Sequence, residues 1–336
     1  MVHALVALLA ALGASALAAP GDAAPAGSIR SETRPAFAAL ATVTLAGVPE
    51  DRAAAAFDAA FAAFARVEWS MNEWRPGTPL ATLNAAAGGG WTALPPDLCA
   101  ALAYAKDAAR RTGGRFDPTW AALDGVWRFD AAHAAPPARE DVAARCKLVD
   151  HRALHLRPVA GGGCEGRLAR AGMKVGLGGL AKGIALDEAA RALRALGVGD
   201  FLLQAGGDLY AAGTRGGAPW RVAVRDPRAG PRDTVPGISV EVRDAAFSTT
   251  GDYEHAYVAG GRRYHHVLDP RTCRPGTRSR AVSVLAPTAA AAEVLGKSLF
   301  LRGGEAALAE AAGAGARAIV VDADGRLHAS PGLVSR

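Results

Sequence analysis

The feature that most constrains this chain is the crowding of short strand candidates without regular helices between them. Apolar runs at 153–156, 172–177, 200–204, 209–212, 220–225, 238–242, 245–248, 264–268, 281–286 and 318–322 have strand character, with glycine turns between many of them. Helical patterns interrupt them only at 183–196, 289–301 and 305–312. A doubly wound or barrel fold needs a helix after almost every strand. This spacing instead predicts an α+β fold of mixed sheets and helices. No internal repeat or strong linker appears after residue 35, so one domain over 36–336 is expected.

The first half of the chain carries fewer signals. A weakly alternating run at 37–45 ends at Gly47 and reads as a strand. The alanine-rich stretch 51–67 sets Phe57, Phe61 and Phe64 at helical spacing, a stripe for the core. Residues 69–84, with Pro76, Gly77 and Pro79, read as a loop. A second helix is expected at 95–112, between Pro95-Pro96 and Gly113-Gly114. Residues 134–140 read as a proline-containing loop.

At 336 residues and 50% hydrophobic content the chain can bury a sizeable core. Lys and Arg number 38 against 32 Asp and Glu, a net charge of +6 carried by scattered arginines. No basic stripe interleaved with aromatics is present, which argues against nucleic acid as a partner. A mild positive field still favours capture of an anionic dinucleotide.

The N-terminus reads as an export signal. Residues 4–18 are apolar and close on Ala16-Leu17-Ala18, so 1–18 is expected to be a signal peptide and 19–35 a flexible leader. The run is short for a membrane span, so no stable span is expected after cleavage. Export to a bacterial periplasm would permit disulfides. Cys99, Cys146, Cys164 and Cys273 allow three full pairings; Cys146 and Cys164 are nearest in sequence, and free buried thiols are the plain alternative.

Four constellations, one of them built from two segments, concentrate polar chemistry. Gly176-Leu-Gly-Gly-Leu-Ala-Lys-Gly183 follows an expected strand and enters a helix bearing Asp187 and Glu188. Glycines allow close backbone approach, the helix N-terminus favours an anion, and Lys182 adds a point charge. A ligand-free glycine turn is the plain alternative. Ser248-Thr-Thr-Gly-Asp-Tyr-Glu254 and Tyr264-His-His-Val-Leu-Asp-Pro-Arg-Thr272 together cluster hydroxyls, carboxylates, two histidines and Arg271. There His266 and Asp269 suit proton transfer, although hydrogen-bonded histidines and an Asp-Pro turn explain them equally. In Phe116-Asp-Pro-Thr119, Asp117 is either a turn cap or a hydrogen-bonder to a polar ring edge. In Gln204-Ala-Gly-Gly-Asp-Leu209, Asp208 either caps a hairpin turn or lines a site.

Taken in order, these segments resemble the ApbE family, the FAD:protein FMN transferases. The resemblance runs from about Phe37 to Val321. It is carried by Met71-Asn-Glu-Trp-Arg-Pro-Gly-Thr-Pro-Leu-Ala-Thr-Leu-Asn84, Phe116-Asp-Pro-Thr, Gly178-Gly-Leu-Ala-Lys-Gly, Ala205-Gly-Gly-Asp, Thr249-Thr-Gly-Asp-Tyr, His266-Val-Leu-Asp-Pro-Arg-Thr and Ala286-Pro-Thr. It implies a single, T-fold-related domain that splits FAD, passes FMN through its phosphate to a Ser or Thr hydroxyl of an acceptor flavoprotein subunit, and releases AMP with the help of Mg2+. By resemblance Trp74 stacks on the isoalloxazine, and Arg115, Phe116 and Asp117 line the flavin. Gly178 and Ile184 flank the nucleotide, with Lys182, Asp208 and Thr250 in the binding site. His266 sits near the reacting phosphate with Asp269 as a second catalytic residue, and the Ala181 carbonyl ligates magnesium.

The chain departs from this pattern in three places. The family's Met-Gly-Thr is replaced around Ala39-Leu40-Ala41, and the Gly after Asp-Pro-Arg-Thr is Cys273. On the metal helix the family has Asp and, four residues on, Thr; here Glu293 and Lys297 stand at those positions, on one helical face. An ammonium has no lone pair to donate. At about 4 Å from a dication it costs roughly twice the ~4 kcal/mol of a unit pair at an effective dielectric of 20. The ammonium then takes the metal's place against the pyrophosphate, or forms an ordinary surface pair with Glu293. Two alternatives therefore stand beside the transferase: a non-catalytic or metal-independent FAD-binding protein, and an FAD pyrophosphatase.

Overall fold

Many of the expected strands assemble into one extended antiparallel sheet, while those at 153–156, 220–225, 238–242 and 264–268 enter smaller sheets, within an α+β fold. The computed structural model describes residues 28–129, 135–230 and 233–334. Among these, eight strands form the sheet in the spatial order Ile29–Ala36, Ala39–Ala46, Phe201–Ala205, Asp208–Ala212, Ala245–Gly251, Ser279–Ala286, Arg317–Asp322 and Leu327–Ala329. Every neighbouring pair is antiparallel. The helices are α1 (Glu50–Ser70), α2 (Pro79–Ala85), α3 (Pro96–Arg111), α4 (Arg139–Cys146), α5 (Ala181–Ala195), α6 (Ala289–Arg302) and α7 (Gly304–Gly313).

Strand periodicity divides the core into two layers. Val43, Leu45, Phe201, Leu203, Val282 and Val284 face one way, into a large cluster with α1, α5, α6 and α7. Ala46, Leu202, Phe247, Leu285 and Ile319 face the other way, under a hairpin of Trp220–Arg225 and Thr234–Val242. Phe57, Phe61 and Phe64 are buried on α1 as the stripe predicts; each such side chain contributes about 1.5–3 kcal/mol on burial.

Several expectations change. Residues 29–35, assigned to the leader, form a strand in full register with Ala39–Ala46, so the domain begins before residue 36. The hairpin turn between them places Phe37 and Ala38 at φ 54° and 55°, geometry that local sequence does not advertise. The expected signal peptide lies outside the described residues. Within the expected loop at 69–84, Pro79–Ala85 is helical because Thr78 Oγ1 accepts from the Ala81 amide and Pro79 opens the first turn. Segment 172–177 joins no sheet. Instead, the Asn84 side chain holds Val175 at both its N–H and C=O, each at 2.8 Å.

Of the three full pairings left open, one is formed, and the free-thiol alternative is excluded. Cys99 pairs with Cys164, and Cys146 with Cys273. The first pairing follows from the small sheet: Cys164 lies opposite Leu94, which leads directly into α3 and Cys99. The second ties the end of α4 to the turn after Asp269.

Candidate active site

The N-termini of α5 and α6 meet at Gly183. A β-carbon there would sit 2.6 Å from the Ala289 carbonyl oxygen and 2.7 Å from the Ala290 nitrogen, so only glycine permits the approach. Each helix then lends a carboxylate to the other. Asp187 of α5 accepts from the Ala289 and Ala290 amides at 2.8 and 3.0 Å. Glu293 of α6 accepts from the Gly183 amide at 2.9 Å. These amides are among the donors that a helix start leaves without intrahelical partners.

Lys182 joins this exchange to the sheet. Its ammonium lies 2.6 Å from Glu293 Oε1 and 2.7 Å from Asp208 Oδ2. The Ser248 hydroxyl donates to the other Asp208 oxygen at 2.5 Å. Lys297, one turn along α6 from Glu293, brings its Nζ within 3.6 Å of Glu293 Oε1. Glu293 is fully buried. Burial opposes its charge, but Lys182 and then Lys297 outweigh it and hold the carboxyl down to about 2. Burial also opposes charge on Lys182, and Asp208 and Glu293 reverse that, keeping it an ammonium. The Asp208 carboxyl is pushed up by burial, against Lys182, with Glu293 adding to the rise. Burial likewise lifts Asp187, to about 6.

Other candidates surround this junction. Gly178 lies in the turn leading into α5, Ala181 is the first residue of α5, and Ile184 packs on the core from its first turn. Thr250 is buried on its strand with its hydroxyl facing Gly296, the residue before Lys297. His266 donates its backbone N–H to the His255 carbonyl and stands edge-on to the His255 ring at 5.5 Å. Its side chain keeps an exposed edge. Desolvation on its protein side, then His255, His265 and Lys297, lowers its pKa well below the usual imidazole range, so the ring is neutral. The adjacent His265 is the ordinary core histidine, bound to the Gly276 carbonyl oxygen at 2.8 Å.

Trp74 is exposed beyond the glycine turn, with Lys174 Nζ 4.0 Å from its ring centroid. Its neighbour Glu73 was not singled out by sequence reasoning. Glu73 is buried against Gly176 and Gly178, and its Oε1 has no hydrogen-bond partner. Burial raises its pKa against the opposing backbone dipoles of Glu73, Gly178 and Leu177. No spacing rule marks Glu73; only the folded turn reveals it.

The remaining candidates are tied elsewhere. Asp117 caps its own turn, with Oδ1 accepting from Thr119 N and Oγ1, and Oδ2 meeting His151 N and Nδ1. Phe116 belongs to the apolar core. Arg115 reaches α6 at Ser298 and pairs with Glu310 at 2.6 Å. Asp269, expected to move protons, gives both oxygens to Arg271. Two surface recesses of about 380 and 540 Å³ lie elsewhere and include none of these residues.

The model of the ApbE family matches residues 38–320. The chain belongs to the ApbE family. It is similar to an FAD:protein FMN transferase of Rhodobacter capsulatus, 34% identical over 91% of this chain and 58% of that protein. It is also 33% identical to an FAD:protein FMN transferase of Treponema pallidum, over 84% of this chain and 81% of that one. This ApbE-family chain thus spans a little over half of the first relative and most of the second. Among solved structures, the ApbE protein of Thermotoga maritima superposes with a TM-score of 0.80 at 24% identity, covering 90% of this chain and 97% of that one. The apo flavinyl transferase ApbE of Pseudomonas stutzeri gives 0.78 at 25% identity, covering 91% and 96%.

Proposed function

We propose that this chain is an FAD:protein FMN transferase, moving FMN from FAD to a Ser or Thr hydroxyl of an acceptor flavoprotein and releasing AMP. The observation that carries the reading is the α5–α6 junction. Lys297 holds a partly exposed ammonium there beside a glycine turn and a helix N-terminus, the arrangement that receives a diphosphate, while Lys182 ties Glu293 to Asp208. The exposed Trp74 offers a stacking surface for the isoalloxazine. Family membership and the two transferase relatives support the same reading.

In this reading the acceptor oxygen attacks the phosphorus of the FMN moiety, and the phosphorus–oxygen bond to AMP breaks. The hydroxyl proton passes to His266. A neutral imidazole is needed for this, and desolvation of the ring, aided by His255, His265 and Lys297, favours it.

Magnesium, implied by the family resemblance, does not suit these donors. Both Glu293 oxygens are engaged by Lys182, Lys297 and the Gly183 amide, and Lys297 offers no lone pair. Among the described residues, no group of three or more His, Cys, Asp and Glu side chains converges as a metal site. The reading is therefore taken without a metal step.

Export to the periplasm is part of the proposal. Two disulfides support an oxidising compartment. Among the described residues no helix is long and apolar enough to cross a membrane.

The test is incubation with FAD, with and without an acceptor peptide bearing a Ser or Thr. AMP together with flavin-labelled peptide is expected. AMP without label would identify a pyrophosphatase. Tight FAD binding with no AMP would identify a carrier, a reading that the unusual Lys297 favours.

A further inference from the structure

We propose that Lys297 is this chain's own built-in cation for the FAD diphosphate, so that FAD binds here without a divalent metal. The proposal rests on the flavin reading above and concerns how that site neutralises its ligand.

The two lysines of the junction differ in how far their charges are used. Lys182 is closed off by Glu293 at 2.6 Å and Asp208 at 2.7 Å. Lys297 has three N–H donors, and among the described residues its one ion-pair neighbour is Glu293 at 3.6 Å, beyond hydrogen-bond reach. Its side chain is 26% exposed while Glu293 is wholly buried, so the carboxylate cannot follow the ammonium outward. The Lys297 stem lies against the turn, with Cε 3.1 Å from where a Gly179 β-carbon would be. The ammonium is thereby held beside the Gly178–Gly179 backbone and close enough to His266 to oppose its protonation. A positioned cation short of acceptors, next to the start of α5, is complementary to an anion.

A divalent ion would need what this arrangement withholds. Mg2+ demands a near-octahedral set of oxygens. The nearest carboxylate is buried and already engaged, and the residue one turn away is itself a cation.

Binding of FAD and of riboflavin, which lacks the diphosphate, is measured by flavin fluorescence in EDTA and again with excess Mg2+. The proposal expects FAD affinity equal within about twofold in the two media. It expects Lys297→Met, which keeps the stem and drops the charge, to weaken FAD by about tenfold or more while leaving riboflavin unchanged. Lys297→Arg retains most of the affinity. FAD binding that collapses in EDTA and returns with Mg2+ overturns the proposal but leaves the flavin reading intact. Unchanged FAD affinity in Lys297→Met also overturns it. No FAD binding in either medium overturns both. If Lys297→Met does not fold, the comparison of EDTA with Mg2+ on the native chain still decides.

Discussion

The α5–α6 junction and the two Asp-Pro turns both bury carboxylates among hydrogen-bond donors, but they satisfy them differently. At Asp117 and Asp269 the partners are local, apart from His151. Thr119 and Arg271 each lie two residues from the carboxylate they satisfy. Each carboxylate oxygen there has at least one donor. At the junction the partners come from Lys182, Asp208, Ser248, Glu293 and Lys297, brought together by one sheet and two helices. There the account does not close, because Lys297 remains short of acceptors. Local closure builds a turn, whereas the long-range convergence leaves one ammonium short of hydrogen-bond acceptors.

The strongest way to break this comparison is Glu293→Ala. It removes the one carboxylate shared by both ammoniums and the Gly183 amide, leaving Lys182 facing Asp208 alone. A loss of about 3–5 kcal/mol is expected by urea denaturation, as for a buried pair deprived of one member. A loss below about 1 kcal/mol would mean that the junction is no more cooperative than a surface pair.

The turn region has its own anchor, the Cys146–Cys273 bridge, whose ends are 127 positions apart in the sequence. Replacing both cysteines with serine is expected to cost about 2–4 kcal/mol, read by thermal denaturation under non-reducing conditions. Because neither cysteine is among the site residues of the α5–α6 junction, FAD affinity should change much less than stability does.

The exchanged helix carboxylates sharpen the contrast through pH. Asp187 is lifted to about 6 in the fold from an ordinary 3.8, so the native state keeps a proton that the unfolded chain releases. Its contribution is complete below about pH 4 and is lost as pH rises through 6. Glu293 has the opposite sign: held down to about 2, it contributes above its ordinary 4.5 and loses that as pH falls. Asp187→Asn should flatten the decline between pH 4 and 6, a change of about 1–2 kcal/mol once partial exposure is discounted. An unaltered profile in denaturation midpoints across that range would remove Asp187 from the junction's balance.

Much of the sheet and all of the long helices were readable because period-two and helical patterns are local. What escaped depends on partners distant in sequence. The Asn84 grip on Val175 turns an apparent strand at 172–177 into a pinned loop. The cysteine pairing follows strand register rather than separation along the chain. Lys297 stood out as an ammonium one turn from Glu293, but α6 had to be placed on the sheet before Glu293 proved buried and Lys297 only partly so. Asp117 and Asp269 illustrate the reverse case. Their motifs promised chemistry, and in the fold both carboxylates make the local bonds of an Asp-Pro turn.

The smallest expected effect tests that last point. Asp269→Asn keeps the Oδ1 acceptor for the Arg271 amide and removes the charge opposite a guanidinium whose side chain is 45% exposed. Such a pair is worth about 0.2–1 kcal/mol, so the thermal midpoint should fall only slightly. If the turn is purely structural, AMP release from FAD stays within about twofold, whereas His266→Gln lowers it by about a hundredfold or more, the usual scale for losing a proton acceptor. A comparable fall for Asp269→Asn, with the fold intact by circular dichroism, would show that a locally closed carboxylate still works in the reaction. Saturation by near neighbours would then no longer separate turns from sites in this fold.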